Sequence, residues 1–147
     1  MELSGTYRFA APPATVWNLL NDPDSLASCL PGCERLEPLG EDRFRAELTV
    51  AVAAIKGHYT ATVALREKTP PHSYRLVVEG SGKAGFMKGQ AVVHLTEDAD
   101  ATIVNVNGTG EVGGLIARVG QRLLGSVSKM MMDRFFAALK EKIPKPL

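Results

Sequence analysis

In ELSGTYRF, residues 2–9, apolar or small side chains stand at Leu3, Gly5, Tyr7 and Phe9, with Glu2, Ser4, Thr6 and Arg8 between them. That period of two predicts a strand with one buried face. The period changes in APPATVWNLLNDPDSLASCLP: Pro12 and Pro13 suit a helix start, and Val16, Trp17 and Leu20 follow at helical spacing until Asn21-Asp22-Pro23 stops them. A second short helical turn, DSLASCL, ends at Pro31. Strands dominate from there. CERLEPL is a weak one, ended by Gly40, and FRAELTVAVAAI sends Phe44, Ala46, Leu48, Val50 and Val52 to one side before Lys56-Gly57 reverses the chain. YTATVALRE returns with Tyr59, Ala61, Val63 and Leu65 on one face, and Pro70-Pro71 breaks it. YRLVVEG then offers Tyr74, Leu76 and Val78; MKGQAVVHL offers Met87, Gly89, Ala91, Val93 and Leu95; TIVNVNGTGEV offers Thr102, Val104, Val106 and Gly108. Such alternation predicts an antiparallel sheet with one buried and one wet face.

Residues 114 to about 142 change to helical spacing. At about 100° per residue, Ile116, Val119, Gly120, Leu123, Val127, Met130 and Met131 make one apolar stripe. The expected fold class is α+β: a curved antiparallel sheet of about seven strands around a long C-terminal helix, with two short helices after the first strand, the helix-grip arrangement. At 147 residues the chain is expected to be one domain, 1–147. Met132, Phe136, Leu139 and Ile143 form a second stripe on the same helix, nearly opposite the first. Two stripes need two partners. Either the segment around Trp17 or the first strand covers the second stripe, or it is a partner or membrane surface. Arg134 shares the azimuth of Ile116 and Leu123 and is expected to point toward the sheet, wet at a cavity mouth or gripping an acidic partner.

Composition narrows the function classes. Seventeen Lys plus Arg against sixteen Asp plus Glu give a formal charge of +1, which points neither to nucleic acid nor to acidic lipid. The longest uncharged apolar run, VAVAAI, is far below the roughly 20 residues of a membrane helix, and no basic-then-apolar leader opens the chain, so a cytoplasmic location is expected.

Candidate chemistry is sparse. Cys29 and Cys33 bracket Leu30-Pro31-Gly32, but a structural zinc site wants four ligands, and His58, His72 and His94 are scattered; the expectation is a Pro-Gly turn, two small semi-buried thiols, no metal and no cofactor. Gly80-Ser81-Gly82-Lys83-Ala84-Gly85 matches G-x-G-x-x-G, yet a strand pattern follows where the dinucleotide fingerprint needs a helix. Its glycines, with Gly89, Gly108, Gly110, Gly113 and Gly114, either bend the sheet or leave space above it. The inward phases hold Leu, Val, Ala, Phe, Met and Gly, with Tyr7, Tyr59 and Tyr74 as the main polar members, so no catalytic set assembles and an enzyme is not expected. The tyrosines read as core side chains with tied hydroxyls.

SCLPGCERLE, with VWNLLNDPDSL before it, GKAGFMKGQAVVHL in the middle and GGLIARVGQRLLGSVSKMMMDRFFAAL at the end, resembles the family of the carbon monoxide dehydrogenase G-subunit over nearly the whole chain. That family is similar to the START-like (SRPBCC) superfamily, whose members hold lipids or other apolar molecules between sheet and terminal helix. The resemblance implies an accessory role beside molybdenum hydroxylases of the carbon monoxide dehydrogenase type, and it supplies no catalytic residue. It also implies that Pro31-Gly32 is a structural turn. Some relatives run on into a hydrophobic anchor, whereas this chain stops at KEKIPKPL, so at most a peripheral association with the inner membrane face is expected. The expected function is a binding module for a lipid, isoprenoid or quinone. Its cavity would be lined by Trp17 and Leu20, by Leu48, Val50, Tyr59, Val63, Tyr74, Val78, Met87, Val93 and Val106 of the strands, and by Ile116, Gly120, Leu123, Val127 and Met130 of the helix. The alternative is an adaptor with a filled core acting through Met132, Phe136, Leu139 and Ile143; a cyclase-like enzyme rests on fold analogy alone. Partners are an apolar small molecule and components of a molybdenum hydroxylase, without nucleic acid; a homodimer stays open.

Overall fold

The computed structural model describes residues 1–52 and 55–144. Strand β1 (Glu2–Phe9) leads into α1 (Pro13–Leu20) and α2 (Pro23–Cys29). Six strands follow: β2 (Cys33–Gly40), β3 (Arg43–Val50), β4 (Gly57–Thr69), β5 (Ser73–Gly82), β6 (Gly85–Asp98) and β7 (Ala101–Gly113). A 3₁₀ helix (Gly114–Val119) then precedes α3 (Gln121–Glu141). The sheet is antiparallel throughout, in the order β1-β7-β6-β5-β4-β3-β2, so β1 closes back onto β7 after the meander. The strand expected to continue toward Ile55 ends at Val50, and residues 53 and 54 lie outside the described residues.

Local chemistry explains the boundaries. Pro13 opens α1. Asp22 caps α2, its carboxylate accepting from the Ser25 N–H at 3.2 Å and the Ser25 hydroxyl at 2.8 Å. After α2 the chain turns through Gly32 at φ +73°, whose carbonyl accepts from the Thr49 N–H at 2.9 Å and pins the turn to the end of β3. A Cβ at Gly32 would overlap the Thr49 carbonyl oxygen. Gly32→Ala is therefore expected to destabilise the fold by about 2 kcal/mol or more, left-handed strain plus that overlap. Urea denaturation checks it, and a loss below about 0.5 kcal/mol would mean the turn relaxes freely.

The densest packing lies toward α1, α2 and the C-terminal half of α3, where Phe9, Val16, Leu20, Val104 and Leu139 are almost wholly buried and Trp17 meets Tyr74 edge-on at 5.5 Å. One expectation fails here. Residues 114–142 are not one helix: Gly120, at φ +96°, breaks the chain between the 3₁₀ segment and α3, which restarts the helical phase. Only Ile116 and Val119 of the first stripe lie before the break; within α3 the buried residues are Leu124, Val127, Phe136 and Leu139, so side chains of both stripes are covered.

Candidate functional site: a groove between sheet and helix

The strand registers set the inward residues in rows. One reads Ala46, Ala61, Gly80, Met87, Val112; the next Phe44, Val63, Val78, Gly89, Gly110; the next Leu65, Leu76, Ala91, Gly108, Leu3; and then Tyr74, Val93, Val106, Gly5. Small residues thus run diagonally across the concave face, from Ala46, Ala61 and Gly80 through Gly89 and Gly110 to Gly108 and Gly5. What lies above them differs. A Cβ on Gly5 would come within 2.8 Å of Met132 Cε and 2.7 Å of Tyr7 Oη, so the helix closes tightly there. On Gly89 a Cβ would meet only β7, at 3.2 Å from the Thr109 carbonyl oxygen, and on Gly80 its nearest neighbour is Ala61 Cβ at 3.5 Å. No atom of α3 stands among those neighbours.

Helix α3 is held at both ends. Phe136 stacks on Tyr7 at 4.2 Å and meets Phe9 edge-on at 6.2 Å, while the Ile116 N–H before the helix donates to the Ala84 carbonyl at 2.8 Å. Between these anchors α3 packs chiefly on β1 and α2. Leu48, Val50, Tyr59, Val63, Leu76 and Val78 face the concave side yet are only half-buried, and Met87 is 37% exposed. Apolar side chains left partly in water on the concave side make this stretch the candidate groove. Phe86, Leu115 and Leu123 are exposed as well. Two depressions of about 350 and 790 Å³ open on the sheet, the first over Val78, Lys88, Gly89 and Gly110, the second over Ser4, Arg75, Gln90 and Asn107, and neither is lined by a residue of α3.

The proposed lining divides accordingly. Leu48, Val50, Tyr59, Val78 and Met87 border the candidate groove, whereas Trp17, Leu20, Tyr74, Val93 and Val106 belong to the close-packed core and Val63 packs against it. Ile116 and Val127 are buried outside that main cluster, and Met130 is half-buried. Gly120, at the break, and Leu123, in the first turn of α3, are exposed, while Leu124 is buried. The second stripe corrects the adaptor expectation: Phe136 and Leu139 are 4% and 0% exposed, and Met132 and Ile143 pack against the same core, so β1 covers that flank. Arg134 is exposed instead of pointing at the sheet.

The family model for the carbon monoxide dehydrogenase G-subunit, CoxG, matches residues 5–144. The chain belongs to the CoxG family. No curated protein matches it. Among solved structures it is similar to a conserved protein from Geobacillus kaustophilus, at 35% identity, over 97% of this chain and 95% of that one, with a TM-score of 0.94. A START superfamily protein from Mycobacterium smegmatis shares the fold at 12% identity, over 97% and 96% of the two chains, with a TM-score of 0.72. A protein from Chromobacterium violaceum does so at 15% identity, over 98% and 99%, with a TM-score of 0.74. The CoxG chain thus has the START-like helix-grip fold.

In this CoxG structure Cys29 is buried and Cys33 half-buried, the latter's S–H donating to the Arg35 carbonyl, with its thiol pKa pushed up by burial. Among the described residues no group of His, Cys, Asp and Glu is placed to hold a metal, and no helix is long and apolar enough to cross a membrane. Gly80-Ser81-Gly82 ends β5 and Gly85 starts β6, so the glycine-rich motif is a hairpin. Burial raises the pKa of Tyr59, whose hydroxyl donates to the Ile55 carbonyl at 2.6 Å, and of Tyr74 still more.

A cluster that hydropathy could not reveal fastens α3 to the sheet. The Tyr7 hydroxyl donates to Asp133 Oδ1 at 2.6 Å, and Lys129 Nζ reaches Asp133 at 2.5 Å and the Tyr7 oxygen at 3.3 Å. Lys129 and Asp133 are four apart on the helix, a spacing visible in the sequence, but nothing there places Tyr7 beside them. The Lys129 and Tyr7 hydrogen bonds hold the Asp133 carboxyl below its usual pKa. A lowered carboxyl stabilises the fold above the unfolded value of about 4 and loses that contribution as pH falls through the folded value. Asp133→Asn is expected to flatten the acid limb of the melting temperature between about pH 5 and 2; an unchanged limb would show that the contact contributes nothing.

Proposed function

We propose that this chain holds an apolar small molecule, a lipid, isoprenoid or quinone, in the groove between the sheet and α3, as a non-catalytic accessory to a molybdenum hydroxylase of the carbon monoxide dehydrogenase type. The observation that carries this reading is the half-exposed apolar wall of Leu48, Val50, Tyr59, Val78 and Met87 beside Gly80 and Gly89, where a Cβ would find no atom of α3 among its nearest neighbours. Apolar linings with a few polar groups are what such ligands require. Tyr59 supplies the polar member: burial keeps its hydroxyl protonated, its O–H is given to the Ile55 carbonyl, and its oxygen is left to accept. Exposed Phe86, Met87, Leu115 and Leu123 give an apolar passenger a path in and out through peripheral contact with a membrane or partner. Membership of the CoxG family supports the choice of partner enzyme.

Native mass spectrometry of protein taken from membrane-containing lysate, followed by solvent extraction, tests the reading. A stoichiometric apolar adduct is expected. Empty protein from every membrane tried would count decisively against it.

A further inference from the structure

The two edges of the sheet are built differently. β2 carries Pro38, which has no N–H to offer, and its pairing with β3 shifts register between Cys33 and Arg35 and again between Pro38 and Gly40. Such features keep an edge from recruiting another strand. β1 has neither: Glu2 to Phe9 pair with β7 one for one, with no shift, no proline and no lysine. Among the described residues no strand or loop hydrogen-bonds along the free side of β1, and α3 packs on its concave face.

The strand is complementary to its own reverse. Two β1 strands laid antiparallel with Gly5 facing Gly5 bring Glu2 opposite Arg8 twice, Ser4 opposite Thr6 twice and Leu3 opposite Tyr7 twice. Opposite charges, hydroxyl pairs and aromatic–aliphatic neighbours are favourable cross-strand combinations. Every pair joins residues of one parity, so the outer-face set meets the outer-face set and the concave set meets the concave set. A slip by one residue would mix the faces, and a slip by two would lose both ion pairs. Glu2 has no ion pair among the described residues, and Arg8, bonded to Asp98, keeps further guanidinium donors for a second carboxylate.

We propose that the chain forms a two-fold dimer through β1, the two seven-stranded sheets continuing across an antiparallel β1–β1 pair centred on Gly5. The dimer is independent of what the groove holds. Sedimentation equilibrium on the full chain tests it, with circular dichroism confirming that each variant is folded. Glu2→Arg sets like charges opposite each other at both ends of the pair and is expected to raise the dimer dissociation constant about tenfold or more. Glu2→Arg with Arg8→Glu restores opposite charges in the same register and is expected to return the constant to near its starting value. A chain monomeric at about 1 mM, a dimer indifferent to Glu2→Arg, or a double variant that fails to recover would each overturn the proposal. So would a monomer whose β1 takes up an unrelated strand peptide in place of its own copy.

Discussion

Gly80→Leu is expected to empty the groove of ligand while leaving the protein folded. The two halves of that outcome come from different facts. Gly80 sits within β5 without a left-handed backbone, and a Cβ there makes only ordinary contact, 3.5 Å from Ala61 Cβ, so the strand accepts a side chain. Replacing a strand glycine also removes unfolded-chain freedom, worth about 0.5 to 1 kcal/mol in favour of the variant. The leucine side chain then projects from the concave face between buried Ala61 and exposed Met87, on the side where the proposed passenger would lie. Ligand occupancy by native mass spectrometry is expected to fall at least about tenfold, the loss of about 1.4 kcal/mol of binding, with the melting temperature unchanged or raised. Gly5→Leu is the contrast: Met132 and the Tyr7 ring already fill that position, so this change should unfold the protein. A folded Gly80→Leu protein with normal occupancy would remove the groove from the binding reading.

Why the groove was only partly legible in the sequence follows from what periodicity measures. Alternation told which strand residues face inward, and Leu48, Val63, Val78 and Val93 all do so. It could not tell that Val93 is sealed in the core at 2% exposure while Val78, on the neighbouring strand but nearer the groove, stays half wet. That distinction depends on where α3 descends onto the sheet, set by Met132 fitting over Gly5 and by Phe136 on Tyr7. The helix phase failed for a local reason. Gly120, at φ +96°, interrupts a stretch whose hydropathy runs on smoothly, so the phase of Ile116 and Val119 does not carry into α3, where Leu124 and not Leu123 is buried. The succession of elements along the chain and the antiparallel alternation needed no such tertiary information and were legible, whereas the β1–β7 pairing and the hairpin at the glycine-rich motif were not deduced.

Phe136→Ala decides between core and docking surface, and the expected result is a large loss of stability. Phe136 is 4% exposed, stacks on Tyr7 at 4.2 Å and touches Phe9 and Phe135 edge-on. Truncating a buried phenylalanine removes its transfer energy and leaves a cavity, together about 3 to 5 kcal/mol. Against a total stability of about 5 to 15 kcal/mol, that is enough to populate unfolded protein at physiological temperature, and at this chain length it lowers the melting temperature by roughly 10 °C. The damage should spread along α3, because Tyr7, released from the ring, is also the residue that holds Asp133 and Lys129 to the sheet. Leu139→Ala, at a fully buried position on the same flank, should cost about 2 to 5 kcal/mol in the same assay. A surface stripe would behave otherwise, giving changes within about 0.5 kcal/mol while losing a partner. If Phe136→Ala melts within a degree or two of the parent, β1 does not cover this flank of α3, and the helix is free to be read as a docking element after all.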